Sequence, residues 1–197
     1  MDRRKALKKV GLLAGATISM PSLFSLLQSC KDEERSQWQP IFLNEDEAKT
    51  ISTLVDTILP TTDTLGALDV NVDVFIDKVI AKTYDQAGQD YIRSEIAAFN
   101  ERSKKGFGAY FFNLSEADKK NFLEQEEASS GKFSPGVWGT AVGPQERIGF
   151  YRSVKSMTVW AYCTSEEIGK NVLSYDPIPG TYKPCIPLAE VGNKWSL

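Results

Sequence analysis

The sequence predicts an all-α protein, a compact helical domain carrying a long irregular C-terminal arm rich in proline and aromatic residues. Three observations lead there. Apolar residues recur at helical spacing in successive segments. Those segments open on residues suited to helix N-termini and close on proline or glycine. The end of the chain carries prolines so placed that neither helix interior nor central strand can form.

The first helix opens at Asn44-Glu45-Asp46-Glu47. Asn44 caps, Glu47 sits three residues on to reach back, and the acids face the positive end of the helix dipole. Ala48, Ile51, Val55 and Ile58 then recur until Pro60 stops the run. Thr61 to Gly66 reads as a loop. A second amphipathic helix runs through Val72, Phe75, Ile76, Val79, Ile80 and Thr83. A third covers Gln89 to Lys105, with Ile92, Ile96 and Phe99 inward and Gly106 beyond its end. Ser115-Glu116-Ala117-Asp118 is another capped start, leading into Phe122 and Leu123. Turn chemistry fills Ser129 to Gly136. Pro144 suits the first turn of a further helix, whose face carries Phe150 or Tyr151, Val154, Met157 and Trp160-Ala161. Beyond about Glu167 regular structure is not expected.

The N-terminus reads as an address rather than as fold. Residues 1–29 have a basic head, Arg3-Arg4-Lys5-Ala6-Leu7-Lys8-Lys9, a weakly apolar middle and a small residue before Cys30. Arg3, Arg4, Leu7 and Lys8 resemble the twin-arginine export motif, with Ala6 where that motif carries an aromatic; the other reading is an ordinary export signal. The middle spends several positions on Gly, Ser, Thr and Pro, so it makes a poor permanent membrane span. Leu27-Gln28-Ser29-Cys30 resembles a lipobox, with Cys30 as the acylated residue and residues 30–40 as a lipidated tether. A structural cysteine beside a conventional cleavage site is the alternative. Lys31-Asp32-Glu33-Glu34 fits either a surface-sorting signal or a solvated linker. The expected location is the periplasm, anchored to a membrane through lipid, with exposure on the outer surface left open.

Composition narrows the function. The chain has 197 residues, and without residues 1–29 it keeps 168, enough for one domain with a core. Those first residues hold five bases and one acid, so their removal takes the formal charge from −3 to −7. An acidic chain with no basic stripe argues against nucleic acid. There is no histidine, which removes the commonest general base and metal ligand and every Ser-His-Asp scheme. Two cysteines besides Cys30 do not make a closed zinc site, and no dinucleotide fingerprint or phosphate loop is present. No catalytic residue, metal or cofactor is therefore expected on this chain alone. A hydrolase built on carboxylates such as Asp56 and Asp63 is a minor alternative, since capping and solvation explain both residues.

The domain is taken as residues 41–197, with the arm from about 163. The arm holds Tyr175, Tyr182 and Trp195 among Pro177, Pro179, Pro184 and Pro187. Long irregular segments in compact domains are usually functional or disordered, and disordered segments are poor in aromatics. Proline limits the entropy lost on ordering, and Tyr and Trp are favoured interface anchors. Two readings stand: the arm wraps its own domain, or it lies along another protein. Cys163 and Cys185 likewise have two. They pair with each other, closing a loop of about twenty residues worth ~3 kcal/mol, or Cys185 bridges to a partner.

Several blocks carry a family resemblance. Phe42-Leu43-Asn44 with Glu45 and Ala48, Asp56-Thr57-Ile58-Leu59-Pro60-Thr61-Thr62-Asp63-Thr64 and Val74-Phe75-Ile76-Asp77 form the opening pattern. Thr164 to Gly169, Tyr175 to Tyr182, Cys185-Ile186-Pro187-Leu188 and Glu190-Val191-Gly192 form the ending. Together they resemble the gluconate 2-dehydrogenase subunit 3 family across most of 42–195. The resemblance implies a small non-catalytic subunit bound to a large flavoprotein of the glucose-methanol-choline type. FAD would sit in that partner, and in some complexes a cytochrome c subunit accepts the electrons. It also implies an escort role, because the small subunit bears the signal on which the folded flavoprotein is exported. Tyr175, Pro177, Pro179, Tyr182 and Trp195 are the expected partner interface. A stand-alone surface lipoprotein that binds carbohydrate or protein is the alternative.

Overall fold

The computed structural model describes residues 38–133, 136–137, 140–141, 144, 146, 148–175, 180 and 185–194. The chain divides into two units, Met1–Gln39 and Pro40–Leu197, and only residues 38 and 39 of the first are described. The second is helical, as the periodicity predicts. Its elements are α1 (Glu45–Ile58), α2 (Val72–Thr83), α3 (Gln86–Phe107), a 3-10 turn (Phe111–Asn113), α4 (Glu116–Ser129), α5 (Phe150–Thr164), α6 (Glu166–Asn171) and α7 (Leu188–Val191). A two-residue antiparallel ladder, β1 (Gly136–Val137) with β2 (Thr140–Ala141), pairs Gly136 with Ala141 and Val137 with Thr140.

Local signals set most boundaries. The Asn44 side chain accepts from the Glu47 N–H at 2.9 Å, and the Glu47 carboxylate accepts from the Asn44 N–H at 2.8 Å, a complete capping box. Ser115 caps α4 by accepting from the Asp118 N–H. The α3 helix is longer than expected. Asp85 caps it by accepting from the Gly88 N–H at 2.9 Å, and the left-handed C-cap is Gly108, at φ 85°. Gly106 therefore lies inside the helix, where a Cβ would meet nothing within 4 Å. Its lack of a side chain terminates nothing; the positive φ at Gly108 does.

The other corrections concern α5. Pro144 lies outside any helix, and α5 begins at Phe150 after the Gly149 cap. The ladder takes up part of the chain ahead of it, and the buried positions Phe150, Tyr151, Val154, Thr158 and Ala161 start only there. That inward face leaves residue 160 on the flank, so Trp160, expected inside, is 58% exposed. Regular structure also continues past Glu167, because α6 buries Ile168 completely.

Helix α5 lies at the centre, packed on α1, α2, α3, α4 and α6. The core beneath it is aromatic. Phe99 of α3 meets Phe111, Phe122 and Phe150 at ring-centre distances of 5.2, 4.9 and 5.2 Å. On one side the bidentate pair of Arg102 with the nearly buried Glu126, both bonds 2.7 Å, ties α3 to α4. The hydrogen bond to Glu126 is the main reason the Arg102 guanidinium titrates above its ordinary range.

The loop after α1 is held tightly. Asp69 accepts from the Thr61 hydroxyl at 2.6 Å and the Gly66 N–H at 2.7 Å, while the Tyr162 hydroxyl of α5 donates to the Leu65 carbonyl at 2.6 Å. A Cβ on Gly66 would stand 2.5 Å from the Thr61 nitrogen and 2.8 Å from the Pro60 carbonyl carbon. Backbone cannot yield as a side chain does. Gly66→Ala is expected to destabilise the domain by about 1–3 kcal/mol through this overpacking, read as a lower urea midpoint at unchanged slope.

Candidate functional site

An open cleft of about 860 Å³ runs along the outer flank of α5 to α6 and the stem of the arm. Four of the large apolar side chains that the domain leaves exposed line it: Phe133 (52% exposed), Val159 (42%), Trp160 (58%) and Tyr175 (45%). Helix geometry explains the placement. The inward stripe of α5 runs through 150, 154, 158 and 161, so Val159 and Trp160 come round to the opposite flank. Trp160 is not loose there, for its ring packs on Phe75 of α2 at 5.6 Å.

Charged groups share the cleft with these rings. Glu127 bridges two cations, accepting from Arg152 at 2.9 Å and from Lys155 at 3.0 Å. Hydrogen bonding to Glu127 holds the Lys155 ammonium above its ordinary range. On α6, Glu166 pairs with Lys170 one turn on. That hydrogen bond pushes the Glu166 carboxyl down and the Lys170 ammonium up. Glu166 therefore stays ionised at neutral pH and is poorly suited to donating a proton. Lys194 completes the cationic lining.

The stem of the arm closes on itself beside the cleft. The Ser174 N–H donates to the Lys194 carbonyl at 2.9 Å, the Ser174 hydroxyl accepts from the Asn193 N–H at 3.1 Å, and the Asn193 amide donates to the Val172 carbonyl at 2.9 Å. Residues 172–174 and 193–194 are thus stapled together, and Tyr175 stands at the junction. Cys163 is half-buried in the α5 wall of the cleft and Cys185 is exposed. Both are free thiols, so the bridge between them considered from the sequence is not formed in this structure.

Of the residues singled out from sequence, Tyr175 and Cys163 come together in the cleft. Pro177, Pro179, Tyr182 and Trp195 lie outside the described residues, as do Arg3, Arg4, Leu7, Lys8 and Cys30. Asp56 and Asp63 are exposed and line no part of the cleft. Sequence reasoning missed Phe133, Val159 and Lys170 as cleft residues and placed Trp160 inside. The available signal was that Val159-Trp160 follows an inward stripe already filled. Among the described residues, no group of three His, Cys, Asp or Glu could hold a metal, and no helix is long and apolar enough to cross a membrane.

Fold and cleft together define a small all-α domain with an open, aromatic-rimmed groove along its central helix. The chain belongs to the gluconate 2-dehydrogenase subunit 3 family, whose model matches residues 45–180. The matched span starts at the first residue of α1 and reaches Gly180 of the arm, slightly inside the 42–195 suggested by the motifs. The family is that of a subunit of a dehydrogenase complex. No curated protein and no solved structure matches the chain significantly.

Proposed function

We propose that this protein is the non-catalytic small subunit of a periplasmic, FAD-dependent sugar or sugar-acid dehydrogenase. It escorts the folded flavoprotein through twin-arginine export and stabilises it afterwards. Membership of the subunit 3 family carries the reading. The cleft is in keeping with it, since a small domain that leaves four large apolar side chains exposed in one groove has surface suited to a protein partner. Arg3 and Arg4 supply the export signal and Cys30 the lipid anchor. Oxidation takes place on the FAD of the large subunit, with a cytochrome c subunit as the electron acceptor where the complex has one.

The test is co-expression of the large flavoprotein with and without this chain, followed by fractionation. With the chain present, flavin-bearing dehydrogenase is expected in the periplasmic membrane fraction. With Arg3→Lys and Arg4→Lys together, or with the chain deleted, it is expected to stay in the cytoplasm. Unchanged export without the chain would end the escort role. A chain that purifies alone would return the function to a free-standing lipoprotein that binds carbohydrate or protein.

A further inference from the structure

We infer that the α5–α6 cleft is the seat of an acidic, apolar-tipped surface segment of the flavoprotein, with Trp160 as the central anchor. This rests on the accessory-subunit reading above and assigns that contact to a particular place on the chain.

The rings come first. Phe133, Val159, Trp160 and Tyr175 line one groove, two from α5, one from the stem of the arm and one from the segment after α4. Trp160 is pre-positioned, because Phe75 supports one part of its ring at 5.6 Å while most of the side chain stays exposed. An anchor already held in place loses little freedom on binding, and a Trp near the middle of a patch is the commonest kind of interface hot spot.

Charge then selects the occupant. Among the described residues the cleft gathers Arg152, Lys155, Lys170 and Lys194 against Glu127 and Glu166, two more positive charges than negative. The chain as a whole carries −3. A cationic groove on an acidic protein favours carboxylates on the segment that enters it, and repels a basic one. The two acids are already engaged with Arg152, Lys155 and Lys170.

The experiment uses the intact complex purified from producing cells, with affinity measured between this chain and its flavoprotein. Trp160→Ala is expected to weaken binding at least tenfold. Lys170→Glu with Lys194→Glu is expected to weaken it several-fold at low salt, with the difference shrinking as salt rises. Tyr91→Ala, an exposed aromatic of α3 outside the cleft, is expected to change nothing. If wild type holds the flavoprotein and the cleft variants hold it equally well, the cleft is not the seat, while the accessory role survives. If wild type holds no flavoprotein, both fall. Acrylamide quenching of the free chain, compared with Trp160→Phe, reads whether Trp160 is open to solvent. A shielded Trp160 would mean that the protein's own tail or a second copy fills the groove, which also overturns the inference.

Discussion

Replacing Asp77 by alanine is expected to destabilise the domain by about 3 kcal/mol, a large share of the ~5–15 kcal/mol that holds a typical domain together. Asp77 is fully buried on α2. Its carboxylate accepts three consecutive backbone N–H groups, from Ile41 at 2.6 Å, Phe42 at 3.0 Å and Leu43 at 2.9 Å. Hydrogen bonds to a charged acceptor are worth about 1.5–3 kcal/mol each, and part of that sum offsets the cost of burying the carboxylate. Alanine removes the acceptor and strands the donors. Arg93 holds the same segment from the other side, donating to the Phe42 carbonyl at 2.7 Å with its guanidinium 4.5 Å from the Phe42 ring centre. The segment leading into α1 is thus gripped from two helices. Asp77→Asn keeps one acceptor oxygen and is expected to lose less. Urea unfolding measures both, and amide exchange at residues 41–43 should accelerate before exchange in α3 does. An Asp77→Ala midpoint equal to wild type would show that the clamp contributes nothing.

Phe99→Ala is expected to be at least as damaging, at about 3–5 kcal/mol. Phe99 has no exposed surface, and its ring touches Phe111, Phe122 and Phe150, from the 3-10 turn, α4 and α5. Truncation removes the transfer free energy of the ring and leaves a cavity at the point where those elements meet. At roughly 2–4 °C per kcal/mol for a domain of this size, the melting temperature should fall by about 10 °C. Phe107→Ala is the internal comparison. Phe107 is only half-buried at the end of α3, and of these rings it meets Phe122 alone, at 5.9 Å. A loss at Phe107 equal to that at Phe99 would refute the central position given to Phe99.

The starts of α1 and α4 are legible because their cap bonds close within four residues, and α2 is legible from periodicity alone, spanning Val72–Thr83 with no side-chain cap bond. Asn44 and Glu47 bond each other's backbone across one turn, and Ser115 reaches only to Asp118. The end of α3 lies two residues beyond the Lys105 that the sequence suggests, because Gly106 and Gly108 are the same residue type and either could cap. Only the backbone conformation, φ 85° at Gly108, tells them apart. Pro144 failed as a helix start for a related reason. A proline tolerates the first turn without requiring it, and the inward face that stabilises α5 begins at Phe150.

The candidate site was legible only in part. Tyr175 was singled out as an aromatic among prolines, and it does line the cleft. Trp160 was placed inside because a large apolar residue late in an amphipathic helix usually is. Of the pair Trp160-Ala161 expected on the inward face, Ala161 alone is buried.

By itself the sequence determined the helical class, the capped starts of α1 and α4, the stop at Pro60, the family and the absence of histidine chemistry. Each follows from residue types and from interactions closed over a few bonds. Tertiary structure alone decided that Asp77 clamps backbone some 35 residues earlier in the chain, that Phe99 joins three elements, and that Phe133, Trp160, Tyr175 and Lys194 share one groove. Such contacts join positions whose separation along the chain says nothing of their distance in space, so they exist only once the helices have packed.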